Sequence, residues 1–141
     1  MANLLTLLFL AYSFQGMSQA NRPPALQIHF EQGSWATILK KAVATHSYIF
    51  VDAYASWCGP CKELKATTFK DKKAAVYFNS HFINFSIDTE KGEGVGLTET
   101  WGLESYPTLY IFDSQGKQLA VSEGFLDAAA LIKFGESVSH L

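Results

Sequence analysis

A chain of 141 residues with 48% hydrophobic side chains can build one domain with its own core and is too short for two of ordinary size. Its formal charge of -2, with Lys and Arg scattered along the chain, leaves no basic stripe to track a phosphate backbone. Nucleic acid is therefore excluded as the expected partner.

The first twenty residues carry no charged side chain, and their apolar part runs only from Leu4 to Phe14. That is too short to span a bilayer. With small residues following at Ser18 and Ala20, residues 1–20 read as a secretory signal cleaved after Ala20. Residues 21–25, with Asn21-Arg22-Pro23-Pro24, read as a linker, and 26–141 as the folded domain. No cysteine precedes Cys58, which excludes lipid attachment to a cysteine at the cleavage point.

Leu26 to Phe30 predicts a short strand. Ser34 is placed to cap a helix that carries Trp35, Ile38, Leu39, Ala42 and Val43 on one face. Tyr48 to Ala55 is almost continuously apolar, the pattern of a strand covered on both faces. A helix is expected from Cys58 through Lys65, and a second one starts at Asp71, carrying Ala74, Ala75, Val76 and Phe78. A strand follows from Phe82 to Ile87. The loop Glu90 to Gly94 has too few regularly spaced acids for a calcium loop and reads as a solvated turn. It leads into a short helix ending near Trp101. Pro107 opens a strand over Thr108 to Phe112, Asp113 to Gly116 makes a turn, and Leu119 to Ser122 returns as the last strand. Asp127 caps a final helix with Ala130, Leu131, Phe134 and Val138. The order βαβαβαββα predicts an α/β layer structure with a mixed sheet.

Both cysteines of the chain, Cys58 and Cys61, stand three apart around Gly59 and Pro60, directly after the apolar strand. A cysteine in the first turn of a helix faces unpaired N–H groups and the positive end of the dipole, which favour a thiolate. Cys61, about one turn later, can reach it. Gly59 suits the tight approach to the helix, and Pro60 fits a first turn where its missing N–H is not needed. Trp57 adds an apolar contact beside the sulfur. The alternative, a stapling disulfide, is poorly served by this spacing: a four-residue loop contributes only roughly 2 kcal/mol, against roughly 3 for fifteen residues. Structural zinc lacks its second cysteine pair, and His29, His46, His81 and His140 show no ligand spacing.

Asp52 stands in the middle of the apolar strand. An ionised carboxylate there is disfavoured by several kcal/mol unless paired, so its pKa should rise toward neutrality and let it exchange a proton with Cys61. The competing reading is a strand end from which Asp52 reaches solvent or a lysine.

The segment Tyr54 to Lys62 (YASWCGPCK), with Asp52 before it and Tyr106-Pro107-Thr108 and Gly124 after it, resembles the thioredoxin family from roughly Phe30 to the C-terminus, and most closely its secreted bacterial members. The resemblance implies a thioredoxin-like α/β fold, a mixed β-sheet flanked by helices on both faces. It implies a nucleophilic Cys58, a resolving Cys61, a proton-transferring Asp52 and a cis bond between Tyr106 and Pro107 lying against the disulfide. A groove for a target polypeptide would be assembled from Trp57, Gly59 and Pro60, from Ser105, Tyr106, Pro107 and Thr108, and from Gly124 with Phe125. Tyr106 and Phe125 read equally as core or edge aromatics. Family members commonly place a lysine near the buried acid, four residues before the acid that ends the third strand. If that acid is Asp88, the position here holds Asn84.

The resulting expectation is a thiol–disulfide oxidoreductase that reduces protein disulfides in the bacterial cell envelope through the Cys58–Cys61 pair, without cofactor or metal. Its partners would be a disulfide-containing protein and a membrane thiol electron donor, with the chain itself a monomer. An oxidase or isomerase is the alternative of the same chemistry. A non-catalytic binding or chaperone module is the alternative outside it.

Overall fold

A computed structural model describes residues 26–140. The expected signal and linker lie outside the described residues. Three helix starts follow the sequence signals closely. Ser34, Asp71 and Asp127 each hold an extended backbone and accept a hydrogen bond at the side chain from the N–H of Thr37, Ala74 and Ala130 respectively. Each such cap contributes about 1 kcal/mol.

The elements in order are β1 (Phe30–Glu31), α1 (Trp35–Thr45), β2 (Tyr48–Tyr54), α2 (Gly59–Ala66), a 3-10 turn (Thr68–Lys70), α3 (Lys72–His81), β3 (Phe82–Asp88), α4 (Gly94–Trp101), β4 (Thr108–Phe112), β5 (Gln118–Glu123) and α5 (Ala128–Glu136). The strands form one sheet in the order β1-β3-β2-β4-β5. β1, β3 and β2 run parallel, while β4 is antiparallel to both β2 and β5. The mixed sheet is therefore as expected. Its first strand is shorter than the sequence suggests, because Ile28 donates its N–H to the carbonyl of Phe69 in the 3-10 turn instead of to a strand.

β2 lies in the middle of the sheet and is buried along Ile49 to Ala53. Alternation along a strand sends its side chains to opposite faces. Ile49, Val51 and Ala53 join a core with Ile38 and Ala42 of α1 and Trp101 of α4. Phe50 joins the opposite core, with Leu64 of α2, Ala74, Ala75 and Phe78 of α3, and Leu131 of α5. By the same alternation Asp52 falls on the Phe50 face, among α2, α3 and α5. The apolar run is thus explained by helices on both sides of the sheet.

Two valines depart from expectation. Val43 and Val76 are exposed. On α1 the buried stripe follows Ile38 and Ala42, and Val43 turns about 100° beyond Ala42. On α3 the stripe follows Ala74, Ala75 and Phe78, and Val76 lies on the far side.

Candidate active site

β2 ends at Tyr54, and the chain leaves the sheet in a turn closed by the Cys58 N–H on the Ala55 carbonyl at 3.1 Å. Cys58 is the N-cap of α2, with an extended backbone, and its sulfur accepts the N–H of Cys61 at 3.2 Å. A backbone donor aimed at this sulfur stabilises its negative form, as does the helix dipole. Cys58 and Cys61 are joined as a disulfide with Cα atoms 5.3 Å apart, and both are buried. They cluster with Ala55, Tyr54 and Tyr106.

Gly59 and Pro60 are exposed over the pair. Pro60 lies in the first turn of α2 as expected. Gly59 does not have a positive φ, and a Cβ built there would meet nothing within 4 Å, so the chain's approach to the helix does not require glycine. What glycine provides is an unobstructed surface beside the sulfurs.

Trp57 is 64% exposed rather than packed into the core. It is held at two edges: its indole N–H donates to Glu90 Oε1 at 2.6 Å, and its ring meets Tyr106 edge-on with centroids 5.6 Å apart. Tyr106 is half-buried and its hydroxyl accepts from Thr89 Oγ1 at 3.1 Å. The Tyr106–Pro107 peptide is cis. The Pro107 carbonyl accepts the Gly124 N–H at 2.8 Å, and Thr108 Oγ1 donates to the Ser105 carbonyl at 2.7 Å. Gly124, with φ of +85°, follows directly after β5, and Phe125 beside it is partly exposed. Tyr106 therefore touches both Trp57 and the cysteine cluster, and the segment that continues from it is fixed by the Pro107–Gly124 and Thr108–Ser105 hydrogen bonds.

The loop Glu90 to Gly94 is more than a solvated turn. Besides the Glu90 bond to Trp57, Glu93 Oε1 accepts the Trp35 N–H at the start of α1 at 2.8 Å. Gly94 is buried so tightly that a Cβ would collide with the Asp88 carbonyl. Isolated acids in a glycine-rich loop gave no periodic signal, so these two contacts were not visible in sequence.

Asp52 is fully buried. Ser86, its register partner on β3, donates to Oδ2 at 2.8 Å, and Lys65 Nζ of α2 stands 4.0 Å from the same oxygen. Oδ1 has no hydrogen-bond partner among the described residues. Burial drives the pKa of Asp52 up to about 6, with the Ser86 bond and the Lys65 charge opposing that rise. Both sequence readings of Asp52 are thus partly realised, since the carboxyl is shut from solvent and still reaches a lysine. No hydrogen bond among the described residues joins Asp52 to either cysteine. Asn84 is turned elsewhere: its side-chain N–H groups donate to the His29 carbonyl at 3.1 Å and to Asn79 Oδ1 at 3.2 Å. Among the described residues no group of three or more His, Cys, Asp and Glu side chains could hold a metal ion, and no helix is long and apolar enough to cross a membrane.

A family model described as a thioredoxin-like domain matches residues 35–139. The thiol:disulfide interchange protein DsbD of Haemophilus influenzae is 30% identical over 126 residues, which is 86% of this chain and 22% of that protein. The chain thus spans about a fifth of the length of such curated relatives. The solution structure of a candidate disulphide-isomerase from Bacteroides thetaiotaomicron is 42% identical with a TM-score of 0.70, covering 79% of this chain and 92% of that one. The oxidised C-terminal domain of Neisseria meningitidis DsbD, at 22% identity and a TM-score of 0.63, covers 78% of this chain and 97% of that one and shares the fold.

Proposed function

This chain belongs to the thioredoxin family of thiol–disulfide oxidoreductases, and from that premise we propose that it reduces disulfides of proteins in the bacterial cell envelope through Cys58 and Cys61. The observation that carries the reading is the disulfide at the N-terminus of α2, with the Cys61 N–H directed at the Cys58 sulfur.

In the reduced protein the Cys58 thiolate attacks one sulfur of a client disulfide, and the client's other sulfur leaves as a thiolate that takes a proton from water. Cys61 then gives its thiol proton to the Asp52 carboxylate and attacks Cys58. The bond between Cys58 and the client breaks, the client leaves reduced, and the pair is left oxidised. All the redox chemistry resides in the two sulfurs.

Trp57, Gly59, Pro60, Tyr106, Pro107, Thr108 and Gly124 form the client groove. The exposed Gly59–Pro60 surface, the partly exposed Phe125 and the clamped Trp57–Tyr106 pair support this, with sequence-tolerant backbone pairing supplying affinity. The signal-like start and the thiol:disulfide interchange relatives support export, and an exported reductase needs a thiol donor at the membrane to regenerate it. Residues 26–141 act as one monomeric domain.

The reduction potential of the Cys58–Cys61 pair, measured by equilibration with defined thiol buffers, tests the direction. A value near roughly -270 mV fits a reductase, and one near roughly -120 mV makes the protein an oxidant instead. A pair that never reduces under native conditions would leave only a binding module.

A further inference from the structure

The chemistry above gives Lys65 no task, yet this lysine is tightly placed. Its ammonium lies 3.0 Å from the centroid of the Tyr54 ring and 4.0 Å from Asp52 Oδ2. It follows Cys61 by four residues, so the two occupy the same side of α2. Together with Gln27, Ile28, Phe30, Phe69 and Ser86 it lines a recess of about 150 Å³. That volume has room for several waters, and the carbon stem of Lys65 covers apolar surface beside it. Burial lowers the pKa of its ammonium, with the charges of Asp52 and Asp88 opposing that fall.

The surroundings of Asp52 leave Lys65 as the cation within reach among the described residues. β3 contributes the neutral Ser86 and, at its end, Asp88. β2 contributes Tyr54, whose hydroxyl is held neutral by burial and by the charges of Asp88 and Asp52. β4 places Leu109 opposite Asp52, and α2 adds Cys61. Phe30 and Phe69 are apolar.

We infer that Lys65 is the positioning residue for proton transfer at this dithiol: fixed over Tyr54 at the recess, its ammonium holds Asp52 as the carboxylate that accepts the Cys61 proton. The inference rests on the proposed role of Asp52 in resolution. The proton passes from the Cys61 sulfur to the Asp52 carboxylate and afterwards returns to water; Lys65 stays protonated throughout. Burial favours the neutral carboxyl, and Ser86 and Lys65 are the groups that counter it.

The test uses the full chain in its oxidised form, where the cysteines do not titrate. The Asp52 carboxyl is followed by carbon-13 NMR in wild type, Lys65→Met, Lys65→Gln and Lys65→Arg. Removing the charge should tighten proton binding at Asp52 by roughly threefold to tenfold, from a unit charge at this distance in a largely aqueous dielectric. Met and Gln should give the same rise, and Arg should restore the wild-type midpoint. The pH profile for release of a client trapped as a mixed disulfide should move upward by the same interval. An unmoved midpoint in both uncharged variants overturns the inference, as does an Arg variant displaced as far as Met. A midpoint that moves while the release profile stays fixed also overturns it, and in that case the fault lies in the role given to Asp52, not in its coupling to Lys65.

Discussion

Replacing Asp52 by Asn should shift the urea resistance of the oxidised protein progressively in favour of the variant as the pH rises from acid to neutral. An aspartate in the unfolded chain titrates near 3.8, whereas burial raises the folded value to about 6. Below pH 3.8 both states hold the proton and the carboxyl contributes nothing to the pH dependence. Between the two values the folded protein keeps a proton that the unfolded chain has released, so stability falls as pH rises. Above about 6 both states are ionised and the loss is complete. At 1.36 kcal/mol per pH unit the interval amounts to about 3 kcal/mol.

Asparagine cannot ionise, so the Asn variant escapes that loss. Its amide N–H₂ adds a cost for a buried donor, of about 1–3 kcal/mol if unpaired, but that cost is independent of pH. The signature is therefore the slope of the difference, not its absolute size. Urea unfolding of both oxidised proteins at half-unit steps from pH 3.5 to 7.5 measures it directly, because every other titrating group is common to the two chains. The difference should grow in favour of the variant by roughly 2–2.5 kcal/mol between pH 4 and pH 7, most of the full interval. A flat difference across that range would show that Asp52 ionises in the folded protein as readily as in water. Growth in the opposite direction would mean that its partners outweigh its burial.

Further outcomes follow from the same geometry. Cys58→Ser should abolish insulin reduction assayed with dithiothreitol, whereas Cys61→Ser should accumulate mixed disulfides visible on non-reducing gels; undiminished turnover of the Cys58 variant would refute the exchange mechanism. Glu90→Ala removes the partner of the Trp57 indole at an exposed site, so stability should change by less than about 1 kcal/mol. Acrylamide quenching of the exposed tryptophan and the KM for insulin should both shift, and if neither does, the clamp has no bearing on the groove. Gly94→Ala forces a methyl group against the Asp88 carbonyl and should destabilise by about 1–3 kcal/mol in urea; a cost under 0.5 kcal/mol would show that the loop yields freely.

The parts of the fold that could be read from sequence were those set by short-range physics. Ser34, Asp71 and Asp127 mark helix starts because the capping contact spans only three residues. The unbroken apolar run of β2 announced helices on both faces, since a strand open to water on one side would alternate. The Cys58–Cys61 pair was legible for the same reason: its spacing is that of one helical turn. Contacts made across the sheet were not. Ser86 meets Asp52 through the register of β2 and β3, 34 residues apart. Glu90 meets Trp57 over 33 residues. Neither separation leaves a local trace. Lys65 is intermediate, because its position four residues after Cys61 put it on the relevant side of α2, and only its proximity to Asp52 needed the fold.

These placements make α2 the organising element of the site. Its N-terminus lowers the cost of a thiolate at Cys58, and one turn on, the same face carries Cys61 and then Lys65 toward the sheet. The carboxyl on β2 lies on that face because alternation puts Asp52 with Phe50 and opposite Val51. A shift of one residue in β2 would send Asp52 among Ile38, Ala42 and Trp101, away from Lys65 and Ser86. The parity of one strand and the pitch of one helix thus decide together that the acid meets a cation beside the helix that carries Cys61. The stability that Asp52 forfeits at neutral pH is consistent with retention for proton transfer, since a packed apolar side chain at the same position would fold without that loss.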